Sequence, residues 1–136
     1  MPISVKRLEN QPILIATFTG NITADDMAGM FEESNTLIGE NEDHIYRISD
    51  VSNATSNFVE MFGVIKIASK GQPGSTSDPR IQAFFVGTST WITFARNTLR
   101  APAFGGLQIA AFETMDAALD AINTQLVITD EQLKTY

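Results

Sequence analysis

Hydrophobic positions along this chain recur with two different periods, and the two periods alternate. Ile3 to Leu8 and Pro12 to Thr19 are rich in aliphatic and β-branched residues and are separated by the turn ENQ. They predict an N-terminal β-hairpin. Gly20 and Asn21 end the second run. Thr23 then stands as an N-cap, with Asp26 three positions on as a short capping box. Met27, Met30, Phe31, Leu37 and Ile38 recur at helical spacing, while Asp25, Glu32 and Glu33 take the polar face. Gly39 and the acidic stretch ENED close this helix.

His44 to Ile48 predicts a short buried strand. The polar segment DVSNATSN reads as a turn, and Ser56 to Lys70 as a second helix. Gly71 to Pro79, GQPGSTSDP, has two glycines, two prolines and no apolar residue. That composition predicts an exposed, mobile loop. Ile81 to Gly87 is apolar but for Gln82, as in a strand covered on both faces. Thr88 to Thr90 cap a third helix, which Pro102 ends or kinks. Gly105 and Gly106 turn the chain into the strand LQIAAF. Thr114 caps a last helix whose inner face is Met115, Ala118, Leu119 and Ile122. Residues 126–136 read as a frayed tail or a short extra helix.

The order is β-β-α-β-α-β-α-β-α. It predicts an α/β fold with a mostly parallel five-stranded sheet, right-handed crossovers and one antiparallel strand from the hairpin. With 136 residues and 43% of them hydrophobic, the chain suits one domain with a real core, spanning 1–136.

Charge and composition narrow the use of that fold. The net charge is −7, a poor balance for nucleic acid or anionic membranes, which need clustered Lys and Arg. There is no cysteine, so thiolate chemistry and Cys-based metal sites are excluded. The N-terminal stretch has no apolar signal core, and the apolar runs are too short to span a bilayer. A cytoplasmic location is expected. His44, the single histidine, sits in an acidic turn with no HxH or HExxH spacing and no triad order. VGTSTW lacks the glycines and lysine of a phosphate loop. No cofactor, no metal and no catalytic set is predicted, which points away from an enzyme.

Four groups of residues remain as candidate sites. Asp50, Ser52, Thr55 and Ser56 offer a phospho-acceptor or partner-binding turn at a helix start, where added negative charge is stabilised. The same residues are also the preferred N-caps. The second helix carries one apolar stripe through Phe58, Met61, Phe62, Ile65 and Ala68 and part of another through Val59, Val64 and Ile67. A surface helix needs only one. Phe58, Val59, Phe62 and Ile67 are therefore candidates for an interface, most simply with a second copy. Alternatively, Phe58, Phe62, Ile65, Trp91, Phe94 and Phe104 line a ligand pocket between the sheet and the second and third helices. Lys66 with Lys70, and Arg96 with Arg100, lie four apart on two helices and offer an anion contact if those helices are neighbours. Solvated surface charge is the plainer reading of those four.

ILIATFTGNITADDM, HIYRISDVSN, FFVGTSTWITF and LQIAAFETMDAALDAI together carry a resemblance over nearly the whole chain. The chain resembles the STAS domain of anti-sigma factor antagonists. It is more similar to stand-alone bacterial STAS-like proteins grouped with the CRAL-TRIO lipid-binding fold. The resemblance implies a regulatory protein-interaction module. In phosphorylated antagonists a serine just after the central strand is modified by a partner kinase, which implies Thr55 or Ser56 at the switch position here and Asp50 as the aspartate ending the strand. The expectation is thus a non-enzymatic STAS-like interaction module, a homodimer with a regulatory protein partner. The alternative is a small-ligand or lipid-binding protein.

Overall fold

The computed structural model describes residues 2–134, with the side chains of Phe58 and residues 127–134 outside the description. The strands are β1 (Ile3–Arg7), β2 (Ile13–Asn21), β3 (Ile45–Thr55), β4 (Ile81–Val86) and β5 (Ala110–Phe112). The helices are α1 (Ala24–Thr36), α2 (Phe58–Ala68), α3 (Thr90–Arg100) and α4 (Met115–Lys134), with one 3-10 turn at Pro102–Phe104. The sheet runs β1-β2-β3-β4-β5. β1 is antiparallel to β2 and every other pair is parallel. This is the architecture that the hydrophobic pattern predicts.

A single direction of strand addition has a consequence for layering. Right-handed crossovers from β2 to β5 all return over the same face. Accordingly α1, α2 and α3 share one core with Ala16, Phe18 and Ala83. α4 feeds no further strand, so it folds onto the opposite face. There Ala118 and Ile122 pack on Ile13, Ile15, Tyr46, Ile48 and Phe84. Successive residues of β2 and β3 serve opposite cores, which is why both strands are apolar nearly throughout.

Local chemistry fixes the ends. Thr23 Oγ1 accepts from the Asp26 N–H at 3.2 Å, and Asp26 Oδ2 accepts from the Thr23 N–H at 2.9 Å. This is the expected capping box. Glu60 of α2 adds a cap from outside, accepting from the Ala24 N–H at 2.9 Å. At Gly63 an added Cβ would lie 3.1 Å from the Ala24 Cβ, so a hydrogen there lets α2 come close to α1. On the far side of the molecule, Arg7 clamps β1 to the segment before β3. Its two terminal nitrogens bond the Glu42 carboxylate at 2.5 and 2.6 Å.

Several expectations need correction. DVSNATSN is mostly not a turn: β3 continues to Thr55, and Asn53, Ala54 and Thr55 pair with Thr19, Gly20 and Asn21. A register shift between Thr17 and Thr19 realigns β2 so that this second stretch can pair. α2 therefore begins at Phe58, not Ser56, and its cap is Asn57, whose Oδ1 accepts from the Glu60 N–H at 2.9 Å. LQIAAF forms strand only over its last three residues. Residues 126–134 continue α4 without a break, in place of a separate tail.

The loop of residues 71–79 departs furthest from its composition. Gly74, Ser75, Thr76 and Asp78 are buried. Gly74 sits at φ +82°, where a Cβ would fall 2.0 Å from the Phe31 carbonyl oxygen. Only glycine lets the loop seat this tightly on α1. The Ser77 N–H also donates to the Ala68 carbonyl at 3.1 Å, which satisfies one of the open carbonyls at the end of α2.

Candidate functional site

Beneath α2 and α3, toward the carboxyl ends of β3 and β4, the sheet does not meet the helices fully. A cavity of about 100 Å³ remains. Phe18, Val51 and Phe85 form its floor. Met61, Ile65 and Ala68 of α2 form one wall, and Trp91, Ile92 and Leu99 of α3 form the other. The lining is almost wholly apolar, so the space is not furnished for a cluster of ordered waters, which need several polar partners each. A few hydroxyls interrupt it, among them Ser49, Thr76 and Ser56. An apolar pocket with a few placed polar groups is the usual form of a small-molecule site.

Behind the Ser49 and Thr76 end lies a buried cation. Arg47 is 1% exposed and projects from β3 toward α1 and the loop. It donates to Ser34 Oγ at 3.3 Å, to Thr76 Oγ1 at 3.2 Å and to the Gly74 carbonyl in a short contact. The Phe31 ring lies 5.4 Å from its guanidinium carbon. Its Nε has no partner among the described residues. Burial pushes the Arg47 guanidinium down to about 10, opposed by the nearby charge of Asp78.

Asp78 is not Arg47's own counter-ion. Its carboxylate accepts from Arg80 Nη2 at 2.6 Å, from Arg80 Nε at 3.1 Å and from the Gly74 N–H at 2.7 Å. Burial alone would raise the Asp78 carboxyl. Arg80 and the backbone N–H donors outweigh it and hold the group below the usual range. Two guanidiniums thus share one carboxylate.

The sequence gives no motif for this arrangement, and the candidate residues above do not include Arg47, Ser49, Thr76 or Asp78. One signal was present: a lone arginine inside the apolar run IYRIS, which needs a buried acceptor set if that run is a core strand. Two of the acceptors come from the loop of residues 71–79, 27 and 29 positions away in the chain, and the third, Ser34, from α1.

No protein-family model matches the chain, and no curated protein matches it. Among solved structures it is similar to an uncharacterized protein of the DUF3478 family from Shewanella loihica PV-4, described as having a SpoIIAA-like fold. The two share 17% identity with a TM-score of 0.57, over 87% of this chain and 90% of that one. The fold is SpoIIAA-like. At that identity the likeness speaks to architecture alone, and it agrees with the STAS-like order of elements.

Within this SpoIIAA-like fold the predicted site residues separate. Thr55 and Ser56 line the pocket, and the Ser56 hydroxyl donates to the Ile22 carbonyl at 3.1 Å. Asp50 and Ser52 do not join them: Asp50 Oδ1 accepts from the Ser52 N–H at 3.1 Å, farther back along β3. Of the predicted pocket residues, Ile65 and Trp91 line the cavity. Phe94 instead meets the rings of Phe62 and Trp91, and Phe104 packs on the α1–α3 core. Phe58's side chain lies outside the described residues.

The other two groups divide as well. Val59 is 80% exposed and Phe62 42%, while Ile67 is half-buried against the core. Lys66, Lys70 and Arg100 face solvent, but Arg96 turns inward, its Nε donating to the Ile109 carbonyl at 2.6 Å. Arg96 is thereby tied to the segment before β5. Among the described residues, no helix is long and apolar enough to cross a membrane.

Proposed function

We propose that this protein is a non-enzymatic STAS-like module that binds a small apolar ligand between the sheet and helices α2 and α3. The cavity under α2 and α3 carries the reading. Its size suits a short alkyl chain or a single ring, since an apolar cavity of comparable volume takes up benzene. Its position at the carboxyl ends of parallel strands is the usual place for ligands in open α/β sheets. The module acts in the cytoplasm without a metal or cofactor.

Trp91 makes the reading testable, because it lines the cavity and is the chain's only tryptophan. Native mass spectrometry of protein purified from cells, with Trp91 fluorescence during titration with small alkyl ligands, is the experiment. A bound mass or a saturable fluorescence change is expected. A clean apo mass together with no response to any alkyl ligand would reject it.

A second reading, docking of a second copy or a regulatory protein, rests on Val59 and Phe62. Both are large apolar side chains on the outer face of α2. Light scattering after size exclusion tests it: a dimer that Val59→Ser and Phe62→Ser together dissociate supports it, and a monomer at tens of micromolar rejects self-association. A kinase switch at Thr55 or Ser56 belongs to the same regulatory reading. Mass mapping after incubation with a cognate kinase tests it, and modification elsewhere would remove those positions.

A further inference from the structure

We infer that the ligand is an alkyl carboxylate, whose head accepts from Thr76 and Ser49 while Arg47 supplies the compensating positive charge behind them. The inference rests on the pocket reading above and adds the chemical class of the molecule.

The first argument counts hydroxyl protons. A threonine hydroxyl has one proton to donate and two lone pairs to accept. The Thr76 oxygen already accepts from Arg47 Nη2 at 3.2 Å. Its own proton is left to donate, and Thr76 lines the cavity at 8% exposure. Ser49 lines the same cavity at 3% exposure, and its side chain forms no hydrogen bond among the described residues. Both hydroxyls therefore have a proton to give to a ligand oxygen in the cavity.

The second argument counts charge. All of Arg47's hydrogen bonds go to neutral oxygens. Its Nε bonds nothing among the described residues. The nearby carboxylate, Asp78, is engaged by Arg80 and by backbone N–H groups. The cluster therefore holds one more positive charge than negative, inside a chain whose net charge is −7. A charge at 1% exposure that must share the Asp78 carboxylate with Arg80 is costly to bury. Arg47 and Ser49 are two apart on β3 and so share a sheet face, about 7 Å from one another along the strand. The excess charge thus stands beside the polar end of the cavity, and a neutral alcohol would leave it uncompensated where a carboxylate would not.

The test uses the full chain near neutral pH. Sodium octanoate and 1-octanol are titrated separately, with Trp91 fluorescence as the readout. Octanoate is expected to bind about tenfold tighter than octanol, as a charge-assisted hydrogen bond adds over a neutral one. Thr76→Val, alone or with Ser49→Ala, is expected to remove most of that preference by lowering octanoate affinity more than octanol affinity. Arg47→Met is avoided as the primary variant because Arg47 also holds the loop. Equal affinity for the two probes overturns the carboxylate inference and leaves the pocket reading standing. A preference retained in the Thr76→Val, Ser49→Ala double variant overturns the assignment to these hydroxyls. No response to either probe overturns both readings.

Discussion

Gly74→Ala is the sharpest test of the docked loop, because Gly71→Ala is a matched control. Both glycines hold positive φ, +82° at Gly74 and +72° at Gly71. Placing a Cβ in that region costs about 1 kcal/mol at either position. Their surroundings differ. The added methyl at Gly71 meets nothing within 4 Å, whereas at Gly74 it falls 2.0 Å from the Phe31 carbonyl oxygen and 3.0 Å from the Asn35 nitrogen. Both are backbone atoms of α1, so no side chain can swing aside. Relieving such an overlap costs a further ~1–3 kcal/mol or more, as other overpacked sites do. Moving Gly74 also withdraws the carbonyl that Arg47 bonds.

The expected loss is about 3–4 kcal/mol for Gly74→Ala and about 1 kcal/mol for Gly71→Ala. A domain of this size is stable by only ~5–15 kcal/mol. Its melting temperature moves roughly 3–5 °C per kcal/mol. Thermal unfolding followed by circular dichroism should show a drop of roughly 10–20 °C for Gly74→Ala and roughly 3–5 °C for Gly71→Ala. Equal melting temperatures would mean that Gly74 does not sit against α1. The loop would then be the exposed segment its composition suggests, and the acceptor set around Arg47 would have to be abandoned.

Three further outcomes are expected. Thr23→Ala removes the side-chain half of the α1 capping box, while Asp26 can still accept from the N–H at position 23, and should cost about 1 kcal/mol in denaturant unfolding, with an unchanged slope. Glu42, hydrogen-bonded to Arg7 and to the Gly39 N–H, titrates at about 2 in the folded chain against an ordinary 4.5. Its folded value is lowered, so its contribution is full above 4.5 and is lost as pH falls toward 2; Glu42→Gln should flatten the stability–pH curve in that window, and an unchanged curve would discount the Arg7 clamp. Ala95→Leu extends a buried wall residue into the cavity, so the melting temperature should hold or rise slightly while the octanoate response of Trp91 disappears; a full response would place binding elsewhere.

How far the sequence could be read depended on whether each feature is local. The strand and helix order is carried by side-chain period within each segment, and the Thr23–Asp26 box by residues three apart, so both were legible. The end of β3 was not. Asp, Ser and Asn favour turns on their own, and what holds Asn53 to Thr55 in the sheet is the register shift in β2, more than thirty residues earlier. The cavity lies between the sheet and the two helices with surplus apolar residues, and of the six side chains expected there Ile65 and Trp91 line it. Phe94 meets Phe62 and Trp91, and Phe104 joins the core, instead of facing the cavity. Helical period alone does not decide among neighbouring aromatic residues on one face. The polar end of the site was not legible at all, because Arg47's partners come from α1 and from a loop whose composition argues for exposure.

The same contacts explain why the site sits where it does. α2 is tied by hydrogen bonds near both ends, and Gly63 in its middle packs close to α1. Near its start Glu60 caps α1, and at its end Ala68 accepts from the loop that closes over Arg47. Between these ties Met61 and Ile65 face the cavity, while Phe62 faces outward with Val59 near the helix start. A carboxylate that compensated Arg47 would stabilise the seated loop, and through the loop the end of α2. Occupancy and the outer face of α2 would then be linked by one short helix. Such a link transmits only as much as the ligand distinguishes two positions of that helix. A ligand that binds both positions equally well would fill the cavity and leave any partner surface unchanged.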